Sequence, residues 1–320
     1  MKENKDYDVQ NGQTTVENGK RTFFIDLLRG LPIGVAFIIP GFSGGSVAAI
    51  LGIYEKMVYY ISTVFRNMKK SIITLLPIGI GLVLGAVALM FPITLAIDVF
   101  PLPTVSLFVG LAIGGMPSIT DKIPGRPTRN NIIALVLPLL FALALSFIPV
   151  GSDVNLFGLD FGGYVLIFLI GMLASTALVI PGISGSMMLL ILGYYNPIMK
   201  LITEHFFVGR DFWTCVLVLG SCAAGIGVGF LLISFVMRIL LEKYQRGTYY
   251  AIVGFIIGSL PTVYVSTMKS AGMLSSAMKL LWLPKSALHW IAAVLMLAIG
   301  AALSYTLVSY GKKISEKTEE

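Results

Sequence analysis

Ile39-Pro40-Gly41-Phe42-Ser43-Gly44-Gly45-Ser46, with Ile50-Leu51-Gly52-Ile53-Tyr54 close behind, decides how this chain is read. It recurs as Ile180-Pro181-Gly182-Ile183-Ser184-Gly185-Ser186, followed by Ile191-Leu192-Gly193-Tyr194-Tyr195. Each copy interrupts an apolar stretch. Proline has no N–H to give a helix, and glycine admits backbone shapes that other residues resist. A break of this kind at membrane depth leaves backbone groups that only protein or a water-filled cavity can satisfy. Two matching breaks in two halves of a membrane protein point to a transport site.

The composition places the chain in a membrane. Of 320 residues, 56% are hydrophobic and 12% charged, against about 25% charged in soluble domains. Apolar segments run at about 23–39, 44–63, 71–97, 104–119, 131–149, 163–180, 184–202, 212–236, 248–264 and 286–309. A spanning helix takes roughly 17–25 residues. Residues 1–22 are polar without an apolar core, so a disordered tail and no cleavable signal peptide are expected there. Cys215 and Cys222 lie two helical turns apart in one apolar segment, where a strain-free disulfide cannot close.

The halves repeat. Pro40 and Pro181 are 141 residues apart, as are Gly30 and Gly171, Gly52 and Gly193, and Tyr54 and Tyr195. Farther on, the stretch from Phe108 to Pro117 is echoed by Ile252 to Pro261 at a spacing of 144. Two matches in the same order argue for duplication. The expected fold is therefore an all-α polytopic membrane protein with inverted-topology repeats and two re-entrant helical hairpins. Its parts are a tail at 1–22, a first repeat at 23–149, a second at 150–309 and a tail at 310–320. The turn chemistry alone also fits full crossings with the motif in a surface loop.

Charge sets the orientation. A hairpin returns the chain to its starting side, and each half then adds three crossings, so the second half is inverted. With the N-terminus inside, the inner loops hold Lys20, Arg21 and Arg29; Arg66, Lys69 and Lys70; Lys122, Arg126 and Arg129; Arg238, Lys243 and Arg246; and Lys312, Lys313 and Lys317. The outer loops hold Lys200, Arg210, Lys269, Lys279 and Lys285. That asymmetry puts both termini in the cytoplasm. It also explains the +7 net charge without a nucleic-acid partner. Trp213, Trp282 and Trp290 fall at helix starts, where interfacial aromatics belong.

Enzyme templates fail. His205 and His289 are far apart in sequence, no His/Cys/Asp/Glu group has metal-ligand spacing, and no Walker lysine or dinucleotide fingerprint occurs. Ser43 and Ser184 have no base near them in sequence. No catalytic residue, cofactor or metal is expected. An anion site fits better. After each Pro-Gly break a helix begins at Ser-Gly-Gly-Ser or Ser-Gly-Ser, where free N–H groups and partial positive charge collect. Glycine lets an anion approach the backbone, and serine adds a hydroxyl. The candidate substrate-binding residues are Pro40, Gly41, Ser43, Gly44, Gly45 and Ser46 in the first copy and Pro181, Gly182, Ser184, Gly185 and Ser186 in the second. Arg29 and Glu55 flank the first hairpin and join them, because intramembrane charges mark function. The alternatives are close helix packing by Gly and Ser and snorkelling of the flanking charges, with Asp26 simply pairing with Arg29.

The stretch from Arg29-Gly30 to Glu55, with the second motif running on to Met187-Met188-Leu189, resembles the membrane family called domain of unknown function 368. The resemblance covers almost the whole chain beyond the N-terminal tail. It implies translocation of undecaprenyl phosphate, by PopT-type transporters, from the outer to the inner leaflet of a bacterial plasma membrane for carrier-lipid recycling in cell-wall synthesis. The partners would be a polyprenyl phosphate lipid and the bilayer, with homo-oligomerisation left open. Phe37 stands in the region where the family pattern places an acid before the first Ile-Pro-Gly, so that acid's role does not carry over. A small-anion carrier, a lipid-phosphate enzyme and a packing scaffold are the rival readings.

Overall fold

The computed structural model describes residues 15–38, 43–123, 125–145, 147–148, 151, 153–182, 185–206, 211–274 and 287–319. Among them every regular element is helical. In the first half, α1 (Thr15–Ile38) is followed by α2 (Gly44–Ile50) and α3 (Tyr54–Ser62), then α4 (Met68–Val99), α5 (Pro101–Gly115), a short α6 (Pro117–Thr120) and α7 (Arg129–Leu145). In the second half, α8 (Phe161–Val179) is followed by α9 (Gly185–Ile191) and α10 (Tyr195–Lys200), a π turn at Leu201–Phe206, then α11 (Phe212–Lys243), α12 (Gln245–Leu274) and α13 (Ala287–Glu319).

Four helical stretches are long and apolar enough to cross a membrane: Met68–Leu89, Pro101–Thr120, Phe212–Lys243 and Leu288–Ser309. Arg129–Leu145 and Phe161–Thr176 are shorter apolar helices. The Pro101–Thr120 stretch is 56% buried, whereas the other three are 17–22% buried. So α5 is central, and α4, α11 and α13 present large apolar side chains outward, among them Val87, Phe91, Leu217, Val294 and Leu307. Apolar exposure on that scale belongs against lipid, not water.

Close backbone contact at small residues holds the helices in pairs, as it does wherever hydrocarbon surrounds them and the hydrophobic drive is lost. α1 packs along α4: Gly30 lies against Ile78, Gly81 against Leu27 and Gly85 against Leu31. α8 packs along α11 in the same way: Gly171 lies against Cys222, Gly225 against Phe168 and Gly229 against Met172. Each residue of the second set stands 141 or 144 positions after its counterpart in the first. The last helices are exchanged. α5 packs on α13, with Gly110 against Leu297 and Gly114 against Ala301. α12 packs on α7, with Gly254 against Leu135 and Gly258 against Leu139. None of these glycines has room for a Cβ.

Four boundaries differ from the sequence expectation. The segments 44–63 and 184–202 are not single helical arms. Each breaks after seven residues, at Gly52 (φ +72°) and Gly193 (φ +78°). A left-handed backbone there ends the helix, and glycine is the residue that adopts it without steric cost. Seven residues rise only about 10 Å, far short of a bilayer. Meanwhile α1 begins at Thr15, inside the stretch read as a tail, and α13 runs to Glu319. No proline stops either extension.

Candidate functional site

The tip of the first hairpin is a buried polar point. Ser43 is the N-cap of α2, with φ −104° and ψ 124°, and its side chain makes no capping hydrogen bond. A capping serine ordinarily accepts from an N–H one turn in. Here the Ser43 residue is 4% exposed, and its hydroxyl has no partner among the described residues. Ser46, on the first turn of α2, is 3% exposed and its hydroxyl is also without a partner. Leaving a buried hydroxyl unsatisfied costs about 1–3 kcal/mol, so two together ask for an explanation. Gly44 and Gly45 lie between them, buried, with no side chain to cover the backbone. α2 touches α8 of the other hairpin. Tyr54, at the start of α3, is buried with a hydroxyl that also lacks a partner.

The second tip is shaped differently. Pro181 and Gly182 are buried, and Gly182 has φ +91°. A Cβ there would meet the Phe255 backbone on α12 at 2.5 Å. Gly185 is buried at the start of α9, and Ser186 sits in that helix's first turn. Pro40, Gly41 and Ser184 lie outside the described residues. Both helices that follow the tips have seven residues, about two turns. Their dipole columns are correspondingly short, so these helix ends offer an anion less than a long helix would.

Arg29 and Glu55 are not at the tips. Arg29 is nine residues before the end of α1, roughly 14 Å along the axis, with its side chain 45% exposed and Nη1 3.8 Å from Asp26. Glu55 lies beyond the Gly52 bend, and Lys122 donates to its Oε1 at 3.1 Å. They belong to a charged rim that sequence reasoning only half saw. Asp26, 2% exposed, accepts from the Lys56 ammonium and so ties α1 to α3. Lys122 also sits 5.7 Å over the Tyr249 ring. Arg246 donates to the Arg126 carbonyl. Contacts thus gather Lys56, Lys122, Arg126 and Arg246 at one end of the helix bundle. The signal for the Asp26–Lys56 pair was an acid inside an apolar run, but its partner is 30 residues away and only the fold supplies it.

A sequence model of the undecaprenyl phosphate translocase-like family matches residues 33–281, a span that includes both Ser-Gly motifs. The chain is 30% identical over 290 residues to the polyprenyl-phosphate transporter of Staphylococcus aureus, covering 89% of this chain and 95% of that one. It is 25% identical over 254 residues to the polyprenyl-phosphate transporter of Vibrio cholerae, covering 74% and 76%. No solved structure matches it.

Proposed function

The chain belongs to the undecaprenyl phosphate translocase-like family, and from that premise we propose that it carries undecaprenyl phosphate from the outer to the inner leaflet of a bacterial plasma membrane. The physics of the cargo fits a protein that handles only the head. Each buried CH₂ is worth about 0.8 kcal/mol, so the polyprenyl tail stays in lipid throughout. The phosphate is what needs a path, because an unpaired anion in hydrocarbon costs of order tens of kcal/mol.

The observation that carries this reading is the pair of unpartnered hydroxyls, Ser43 and Ser46, sealed at the first hairpin tip. Each offers a hydrogen bond to a charged oxygen worth about 1.5–3 kcal/mol. That is well below the desolvation cost, so the path must also be wet, lined by cations, or crossed by a protonated phosphate.

The same reading makes the two halves inverted repeats with re-entrant hairpins. Counting the short α6 with α5, three helical segments follow each hairpin, an odd number, and the glycine contacts of the halves recur at constant offsets. With second arms broken into pieces of seven to nine residues in the first hairpin and seven and six in the second, neither hairpin has a second arm that spans as one helix. Both termini would then be cytoplasmic, with the returned lipid re-entering cell-wall synthesis.

The test is leaflet-resolved movement of undecaprenyl phosphate in liposomes holding the purified protein. Ser43→Ala and Ser46→Ala should lower headgroup affinity about ten- to hundredfold, with little change in thermal unfolding. Wild-type transport in both variants would defeat the assignment of the tip.

A further inference from the structure

At the basic end of the bundle a cavity of about 550 Å³ opens between α1, α3, α4 and the junction of α11 with α12. We propose that this cavity is a docking site for a phosphate monoester, separate from the Ser-Gly tips and anchored by Arg238. It rests on the reading that the chain handles polyprenyl phosphate.

Arg238 interrupts the apolar span of α11, where a cation is costly and marks function. Its Nε is buried and makes no hydrogen bond among the described residues. The nearest carboxylate is Glu242, with Oε1 at 3.6 Å and a side chain 58% exposed. That is beyond hydrogen-bond reach and is a weak surface pair. The Phe235 ring, 5.1 Å from the guanidinium carbon, packs against the group. A planar guanidinium with an idle N–H matches the paired oxygens of a phosphate.

Among the described residues, four charged side chains line the cavity: Arg238, Lys56, Glu55 and Glu242. Glu55 is held by Lys122, and Lys56 gives one donor to Asp26. An ammonium has three donors, so Lys56 retains two. Glu242 is then the anion that an incoming phosphate displaces, and its exposure lets it swing into water. The Val58 and Leu241 side of the wall is apolar, which suits the first isoprene carbons better than a free phosphate ion. The volume falls within the roughly 300–1,000 Å³ of small-molecule sites.

The experiment titrates the purified full-length protein in detergent with two probes, farnesyl phosphate and inorganic phosphate. Wild type should bind farnesyl phosphate. Arg238→Gln should weaken it about ten- to hundredfold, and Glu242→Gln should tighten it by about threefold, as a competing charge is removed. Opposite signs from two neighbours on one helix are not what a purely structural role gives. Should Arg238→Gln fail to fold, Glu242→Gln decides alone, and unchanged affinity there overturns the proposal. Equal farnesyl phosphate binding in wild type and folded Arg238→Gln overturns it as well, and leaves the tip site standing if Ser43→Ala still blocks transport. No binding to wild type by either probe also overturns it. Inorganic phosphate binding as tightly as the ester, with the same Arg238 dependence, supports the phosphate chemistry but counts against a lipid cargo.

Discussion

The two hairpins share a motif, a Pro-Gly break and a glycine bend, yet among the described residues only the first carries buried charge. At the spacing of 141, Asp26 corresponds to Ile167, Arg29 to Ile170, Glu55 to Asn196 and Lys56 to Pro197. Asp26 and Ile167 are each 2% exposed. The second hairpin therefore shows that this packing position is served by an isoleucine. A buried ion pair is often no more stable than apolar residues of similar size. The charge in the first hairpin is therefore not something the shared packing requires, and it lies at the end where Lys122, Arg246 and the Arg238 cavity also lie.

The sharpest way to break that comparison is to make the first hairpin like the second. Asp26→Ala alone leaves the Lys56 ammonium without its carboxylate and should cost about 3–5 kcal/mol of stability, read as a drop in thermal unfolding temperature. Asp26→Ile combined with Lys56→Met should recover most of that loss. Transport by the double variant should nevertheless stay about tenfold down, the equivalent of about 1.4 kcal/mol. A double variant that is stable and transports normally would show the charge pair to be dispensable.

What the sequence made legible here was the spacing of paired glycines, because a glycine against a backbone cannot drift without cost. Gly30 and Gly171 read only as a match at a spacing of 141, and the structure sets them against Ile78 on α4 and Cys222 on α11. The membrane class was equally plain from the apolar runs. Less legible was the bend at Gly52 and Gly193. A lone glycine in an apolar stretch reads the same whether it packs against a neighbour or turns the chain, and only the positive φ separates the two. The exchange of α7 and α13 between halves left no local trace, since both partners are apolar helices. Nor could spacing have found Arg238: as part of a basic loop cluster it looked like an orientation marker, and its buried Nε is a property of the cavity.

A second difference concerns two left-handed glycines, one at the second hairpin's tip and one at the first hairpin's bend. Gly182 and Gly52 both have left-handed backbones, but Gly182 abuts Phe255 whereas nothing lies within 4 Å of a Cβ built on Gly52. Gly182→Ala should combine conformational strain of about 1–2 kcal/mol with overpacking of about 1–3 kcal/mol. Gly52→Ala should show the strain alone. Thermal unfolding of the two variants side by side measures the difference. Equal losses would mean that the second tip is not pressed against α12 as the structure has it.

The smallest effect is expected where a carboxylate in the first hairpin stands opposite a shorter, neutral amide in the second. Asn196 in the second hairpin donates to Asp153 at 3.1 Å, in the place that Glu55 takes in the first. Glu55→Asn copies the second hairpin into the first. The Glu55–Lys122 pair is partly exposed on both sides, 31% and 36%, so its loss should cost under about 1 kcal/mol. Its effect on substrate has a definite sign. Removing the carboxylate takes an anion from the edge of the phosphate cavity and frees Lys122, so lipid-phosphate affinity should rise by about twofold, most visibly at low salt where screening is weak. Binding measured at low and high ionic strength checks this. A clear loss of affinity in Glu55→Asn, with stability intact, would instead give Glu55 a direct part in carrying the headgroup, and would place the charged rim and the Ser-Gly tip on one continuous path.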